Sequence, residues 1–235
     1  MKILSVLLQI PTQVDNTFEL TPTTISTEAQ MNVIDLAIKG GWIMLILLVL
    51  SLIVTFVFIE RLMVIRQAGK RDESFMSRIK DYIHDGKVDS AQKLCQSTNS
   101  PIARMIGKGI SRLGRPISDV LATVENAGNI EVAKLEKSIP VIASIAGGAP
   151  MIGFLGTVTG MIRSFYAMAN AGANVDITML SGGIYEALVT TVGGLVVGII
   201  AMFAYNYLSS QVGNVVNKLE TGTMDFMDLL NEPSI

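Results

Sequence analysis

Thr157, Glu186, Thr190 and Thr191 are among the polar residues that lie within or directly beside long uncharged stretches of this chain. A threonine hydroxyl both donates and accepts a hydrogen bond, so it can line a polar path without carrying charge itself. A carboxylate joined to an apolar stretch is a functional group by default, because its ionised form is costly to bury. The chemistry on offer is therefore an uncharged polar lining that can hold water beside one ionisable group. With one histidine, His84, and one cysteine, Cys95, the chain has no paired-histidine zinc motif, no cysteine cluster and no intrachain disulfide. No metal, cofactor or enzymatic activity is expected, and both residues read as ordinary surface or core positions.

The spacing sets these groups at comparable depth. Thr157 lies six residues before Arg163, roughly 9 Å along a helix, and Thr191 lies seven residues after Ile184, about 10 Å on the returning helix. Two hydroxyls at one level could line a common polar path; alternatively each could bond to a carbonyl of its own helix. Glu186 shares a face with Thr190 at i+4, whereas Thr191 sits about 140° away, and periodicity does not choose between the two threonines as lining. Arg163 and Asp176 both have a simple explanation as interfacial residues, and that reading is preferred for Asp176.

Small residues surround the polar ones. Ala149, Gly153, Gly156 and Gly160 recur at three- and four-residue spacing, and Thr190, Gly194 and Gly198 repeat the pattern. Such stripes let two helices approach closely in a membrane, and plain helix packing is their simplest reading. Pro150 is expected to loosen its helix one turn below, by removing a hydrogen bond.

The elements that must position these residues follow from composition. Of 235 residues, 50% are hydrophobic and only 16% charged, with a net charge of −2 and a mean hydropathy of +0.49. Soluble domains carry roughly a quarter charged residues, so this is an integral membrane protein, and its near-neutral balance excludes a nucleic-acid binder. The expected class is all-α, with three transmembrane helices extended by a cytoplasmic helical region. Transmembrane helix 1 is assigned to 40–59, helix 2 to 139–163 and helix 3 to 184–208, each long enough for a hydrocarbon core of roughly 30 Å. Trp42 stands where an interfacial anchor would. The first span suits lipid, while the Gly, Ala, Ser and Thr of the other two suit helix contacts.

Residues 60–137 hold 14 of the 18 basic residues and 10 of the 20 acidic ones, a net charge of +4. By the positive-inside rule this segment is cytoplasmic, which places the N-terminus outside and the C-terminus inside a cell membrane. An external tail (1–39), a short external connection (164–183) and a cytoplasmic C-terminal tail (209–235) complete the chain, the two external segments being periplasmic if the membrane is a bacterial inner membrane. Residues 3–10 form a short apolar segment, read as interfacial or as a cleaved signal. Within the cytoplasmic region, Phe75, Ile79, Tyr82 and Ile83 follow helical spacing up to Gly86, and Asp89 is expected to cap a short helix. Ser100-Pro101 opens another helix with Ile102, Met105, Ile106 and Ile110 on one face. After Pro116 a long helix with Val120, Leu121, Val124, Ala127, Ile130 and Leu135 is expected to continue through Pro140 into the bilayer.

The runs APMIGFLGTVTGMIRSF (149–165) and GGIYEALVTTVGGLVVGIIAMFAYN (182–206) resemble the second and third spans of the ExbB branch of the MotA/TolQ/ExbB proton-channel family. SPIARMIGKGISR (100–112) is similar to the cytoplasmic helical region of that family. The resemblance covers about residues 40–230 and implies a homo-oligomeric ring, a pentamer, enclosing the single span of an ExbD-like partner. It further implies that proton-motive force is converted into work on a TonB-like protein for active transport across the outer membrane, from a position in the bacterial inner membrane. Carried over by motif, the family's polar pathway residues are Thr157 of the GT pair, with Glu186 and Thr191 of EALxxT. The titrating aspartate belongs to the partner. The tail before Asp35 departs from the short N-terminus of the family.

Other readings remain at this point. A TolQ-like or gliding-type motor would use the same mechanism with another partner, whereas a flagellar stator would have four spans. A non-conducting membrane scaffold belongs to a different class. An intramembrane protease is disfavoured, since no histidine lies in a span and no GxGD-type pair is present.

Overall fold

The computed structural model describes residues 40–69, 73–170 and 177–231. Among them every regular element is helical: α1 (Gly41–Ala68), α2 (Glu73–His84), α3 (Val88–Ser97), α4 (Pro101–Ile110), α5 (Ile117–Glu136), α6 (Ile139–Asn170) and α7 (Ile177–Asn231). Three of them, α1, α6 and α7, are long and apolar enough to cross a membrane, so the protein is a multi-pass, all-α membrane protein. The tail before residue 40, its short apolar segment and Asp176 lie outside the described residues.

Helix α1 is apolar on nearly every side, as befits a helix solvated by lipid. Ile43, Leu47, Val54 and Val57 are buried, while Trp42, Leu45, Leu52 and Phe56 are exposed. Helices α6 and α7 run antiparallel and meet along the small-residue stripes. A Cβ on Gly194 would lie 2.6 Å from the Ala149 carbonyl oxygen and 2.8 Å from the Gly153 Cα, and one on Gly160 would lie 3.0 Å from the Ala187 Cβ. The Gly194 contacts are backbone-to-backbone approaches, which a side chain at that position would force apart. Pro150 does not end α6, and its ring packs on Gly198, where a Cβ would lie 2.6 Å from the proline Cγ.

Helices α2 to α5 form a body around the far half of α7. Ser100 caps α4 by accepting a hydrogen bond from the Ala103 amide at 3.2 Å, with Pro101 in the first turn. Gly86 ends the preceding helical run in a left-handed turn, φ 71°. The body core includes Phe75, Ile79, Cys95, Met105, Ile106, Val120, Val124, Leu219 and Phe226. Phe226 is wholly buried, so the segment read as a C-terminal tail is helical through Asn231 and supplies core.

Two local expectations are corrected. Asp89 does not cap α3. The N-cap is Lys87, and Asp89 sits inside the first turn, where its charge still complements the helix dipole. Nor does α5 run unbroken into the membrane. It ends at Glu136, Ser138 takes φ 72°, and α6 begins at Ile139. Pro140 accounts for the break: it has no N–H to bond Glu136 and its ring would clash with that carbonyl, but it is tolerated in the first turn of a new helix.

A charged network spans this joint. The Arg61 guanidinium on α1, buried, donates through Nη1 to the Lys134 carbonyl oxygen at 3.2 Å and through Nη2 to Glu60 at 2.7 Å. Glu131, whose side chain is 7% exposed, takes Arg104 and Lys134, both at 2.6 Å.

Candidate functional site

The register of the α6–α7 pair brings the predicted polar residues to one level. Gly156 packs directly on Thr190, and Gly153 lies against the Cα atoms of Thr191 and Gly194. Thr157, next to Gly156 in the chain, therefore faces the level of Thr190 and Thr191, as the depth arithmetic requires.

The three hydroxyls are used differently. Thr190 is 1% exposed, its hydroxyl donates to the Ala187 carbonyl oxygen at 2.8 Å, and Gly156 closes over it. Thr190 is thus turned into the α6–α7 contact. Thr191 donates across the seam to the Gly153 carbonyl oxygen at 3.1 Å. Thr157, half-buried, donates to the Phe154 carbonyl oxygen of its own helix at 2.6 Å. Both sequence alternatives are therefore present: back-bonding for Thr157 and Thr190, a cross-helix bond for Thr191. The Thr157 and Thr191 hydroxyl oxygens keep acceptor capacity for a water or a carboxyl group.

Glu186 lies one turn from Thr190 toward the end of the span that carries Trp42. Its Oε1 sits 3.5 Å from the Arg163 Nη1. The same oxygen faces the start of α1, where a Cβ on Gly41 would lie 2.5 Å away. Toward the outer end of the seam, Ser164 is buried, donates to the Gly160 carbonyl oxygen at 3.1 Å and packs on Gly183. Arg163 as a partner of Glu186, and Ser164 as a seam residue, were not recognised from sequence. The signal was available for Arg163: the arithmetic that levels Thr157 with Thr191 also puts Arg163 near Glu186. For Gly41 no sequence signal existed, since its role depends on how α1 packs.

The stripe residues Ala149, Gly153, Gly156, Gly160, Gly194 and Gly198 all lie in the α6–α7 contact. What the arrangement offers chemically is a run of uncharged polar groups beside an ion pair, with both helices presenting exposed apolar side chains on their outer faces, among them Phe154, Leu155, Leu195 and Ile199.

Comparison with known proteins adds four relationships. A family model, described as the MotA/TolQ/ExbB proton channel family, matches residues 97–221, which contain the whole seam up to the body core. The Tol-Pal system protein TolQ of Haemophilus influenzae is 29% identical over 218 residues, 85% of this chain and 92% of that protein. The biopolymer transport protein ExbB of Neisseria meningitidis is 24% identical over 207 residues, 81% of this chain and 91% of that protein. An ExbB homolog of Methanothermobacter thermautotrophicus is 30% identical over 135 residues, 57% of this chain, which spans only 47% of that relative.

Proposed function

Because the chain belongs to the MotA/TolQ/ExbB proton channel family, we propose that it is the ring-forming housing of a proton-driven motor in the bacterial inner membrane. Several copies, five in this reading, surround the span of an ExbD-like protein through α6 and α7. Protons moving down their gradient act on that partner, which works on a TonB-like protein for uptake across the outer membrane. The body of α2 to α5 lies in the cytoplasm, the N-terminus outside and the C-terminus inside, a reading supported by the basic excess of residues 60–137. The chain carries out no covalent chemistry.

The observation that carries this reading is the levelled set of Thr157, Thr190 and Thr191 on a seam whose interior holds no charge. A membrane potential does about 2.3 kcal/mol of work per unit charge per 100 mV. A fixed charge in the housing would trap a proton, whereas hydroxyls solvate it without competing for it. The titrating carboxyl then comes from the partner. Thr157 and Thr191 face the proton path, Glu186 stands at its end, and Thr190 supports the wall from within.

A TolQ-like motor is the second reading, supported by the 92% coverage of the Haemophilus influenzae TolQ. Reconstitution in vesicles tests both against a passive scaffold. Proton flux that appears only when a single-span partner with one membrane aspartate is added supports the motor, and which partner supports flux, ExbD-like or its Tol counterpart, assigns the branch. No flux with either partner leaves a scaffold.

A further inference from the structure

We infer that Arg163 and Gly41 are positioning residues for Glu186, together holding its carboxylate at the mouth of the path; this inference rests on the proton-conducting reading above. Three helices converge on one oxygen. Arg163 reaches Glu186 Oε1 from α6 at 3.5 Å. The first residue of α1 closes on the same oxygen, so closely that a Cβ at Gly41 would lie 2.5 Å from it.

The backbone at position 41 favours glycine, and a side chain there would have to push the flexible Glu186 carboxylate aside. The φ of 65° lies in the left-handed region, which L side chains adopt with difficulty. The amide end of α1 carries the positive pole of its helix dipole, so a carboxylate is well placed there. Among the described residues, the first turn of α1 offers only backbone and the apolar side chains of Trp42, Ile43 and Met44. Arg163 is the charged group that α6 presents.

The two ends of the ion pair differ. The Glu186 side chain is 27% exposed and that of Arg163 is 67% exposed. The carboxylate is the enclosed member, and the guanidinium reaches in from the open side. An arginine so placed acts on Glu186 by orientation and charge, without lying in the seam with the threonines. This gives Arg163 a task that an interfacial anchor would not have.

The test uses vesicles containing the chain with its single-span partner, with proton flux and complex size both measured. Arg163→Gln should lower flux about tenfold, Arg163→Lys should restore most of it, and Gly41→Ala should lower it as well. In a Glu186→Gln background Arg163→Gln should not reduce flux further, because it acts through the Glu186 charge. Wild-type flux in Arg163→Gln, or losses that multiply with Glu186→Gln, overturns the positioning role while conduction stands. Wild-type complexes that pass no protons overturn the conducting reading, and this one with it.

Discussion

The Thr191 hydroxyl donates to the Gly153 carbonyl oxygen at 3.1 Å, so a polar group of the proposed path is also a hydrogen bond that ties α7 to α6. Thr157 makes no such link, since its hydroxyl bonds within its own helix to Phe154. The two threonines stand at one level but differ in what they hold together.

Substituting each by valine separates these roles. Thr191→Val is expected to cost about 0.6 kcal/mol, the average for an interhelical hydrogen bond in a membrane. Thr157→Val is expected to leave stability unchanged. Thermal unfolding in detergent checks the difference, and equal losses for the two would contradict it.

Adding one carbon at the seam should be costly, and adding it elsewhere on the same helix should not. Gly153→Ala and Gly194→Ala drive a methyl into facing backbone and are expected to destabilise by about 1–3 kcal/mol. A Cβ on Gly147 or Gly148 meets nothing within 4 Å, so alanine there is neutral or stabilises slightly by restricting the unfolded chain. Melting temperatures of the four variants test this contrast.

Acid should weaken the body through Glu131. Burial pushes its carboxyl upward, but hydrogen bonds from Arg104 and Lys134 outweigh that and hold it below the usual glutamate range. A lowered folded value means the stabilisation is present above the unfolded pKa of about 4.3 and is lost as pH falls through the folded one. Glu131→Gln is expected to cost about 1 kcal/mol at pH 7, since both cations are partly in solvent. The gap from wild type should close below about pH 4 in denaturant titrations.

Cys95 is buried in the body and burial pushes its thiol up to about 11. At pH 7.5 it is expected to resist maleimide in the folded protein and to label fully after denaturation. A mass shift under native conditions would show that the α3–α4 contact opens.

Much of this architecture was legible in the residues. The charge-free runs marked the three spans, the recurrence of Gly153, Gly156, Gly160, Gly194 and Gly198 marked the seam, and Ser100-Pro101 marked a helix start, because each depends on local pattern. The break at Ser138 was missed because the apolar periodicity of α5 continues smoothly while Pro140 changes the backbone beneath it. The helical run of α7 through Asn231 was hidden by the drop in hydropathy beyond residue 208, where the helix leaves apolar surroundings but keeps packing through Phe226 and Leu229. At the site, the level of Thr157 and Thr191 followed from helical rise. The inward turn of Thr190 and the pairing of Arg163 with Glu186 depend on helix rotation and on α1, which spacing along one chain does not encode.

The central claim is that uncharged hydroxyls of this chain carry the proton past its partner. The most direct measurement is proton flux in vesicles holding the chain and its single-span partner, comparing wild type with the Thr157→Val/Thr191→Val double variant at equal complex content. The account predicts assembled complexes of normal size whose flux falls to the level of vesicles lacking the partner. Wild-type flux from the double variant would contradict it.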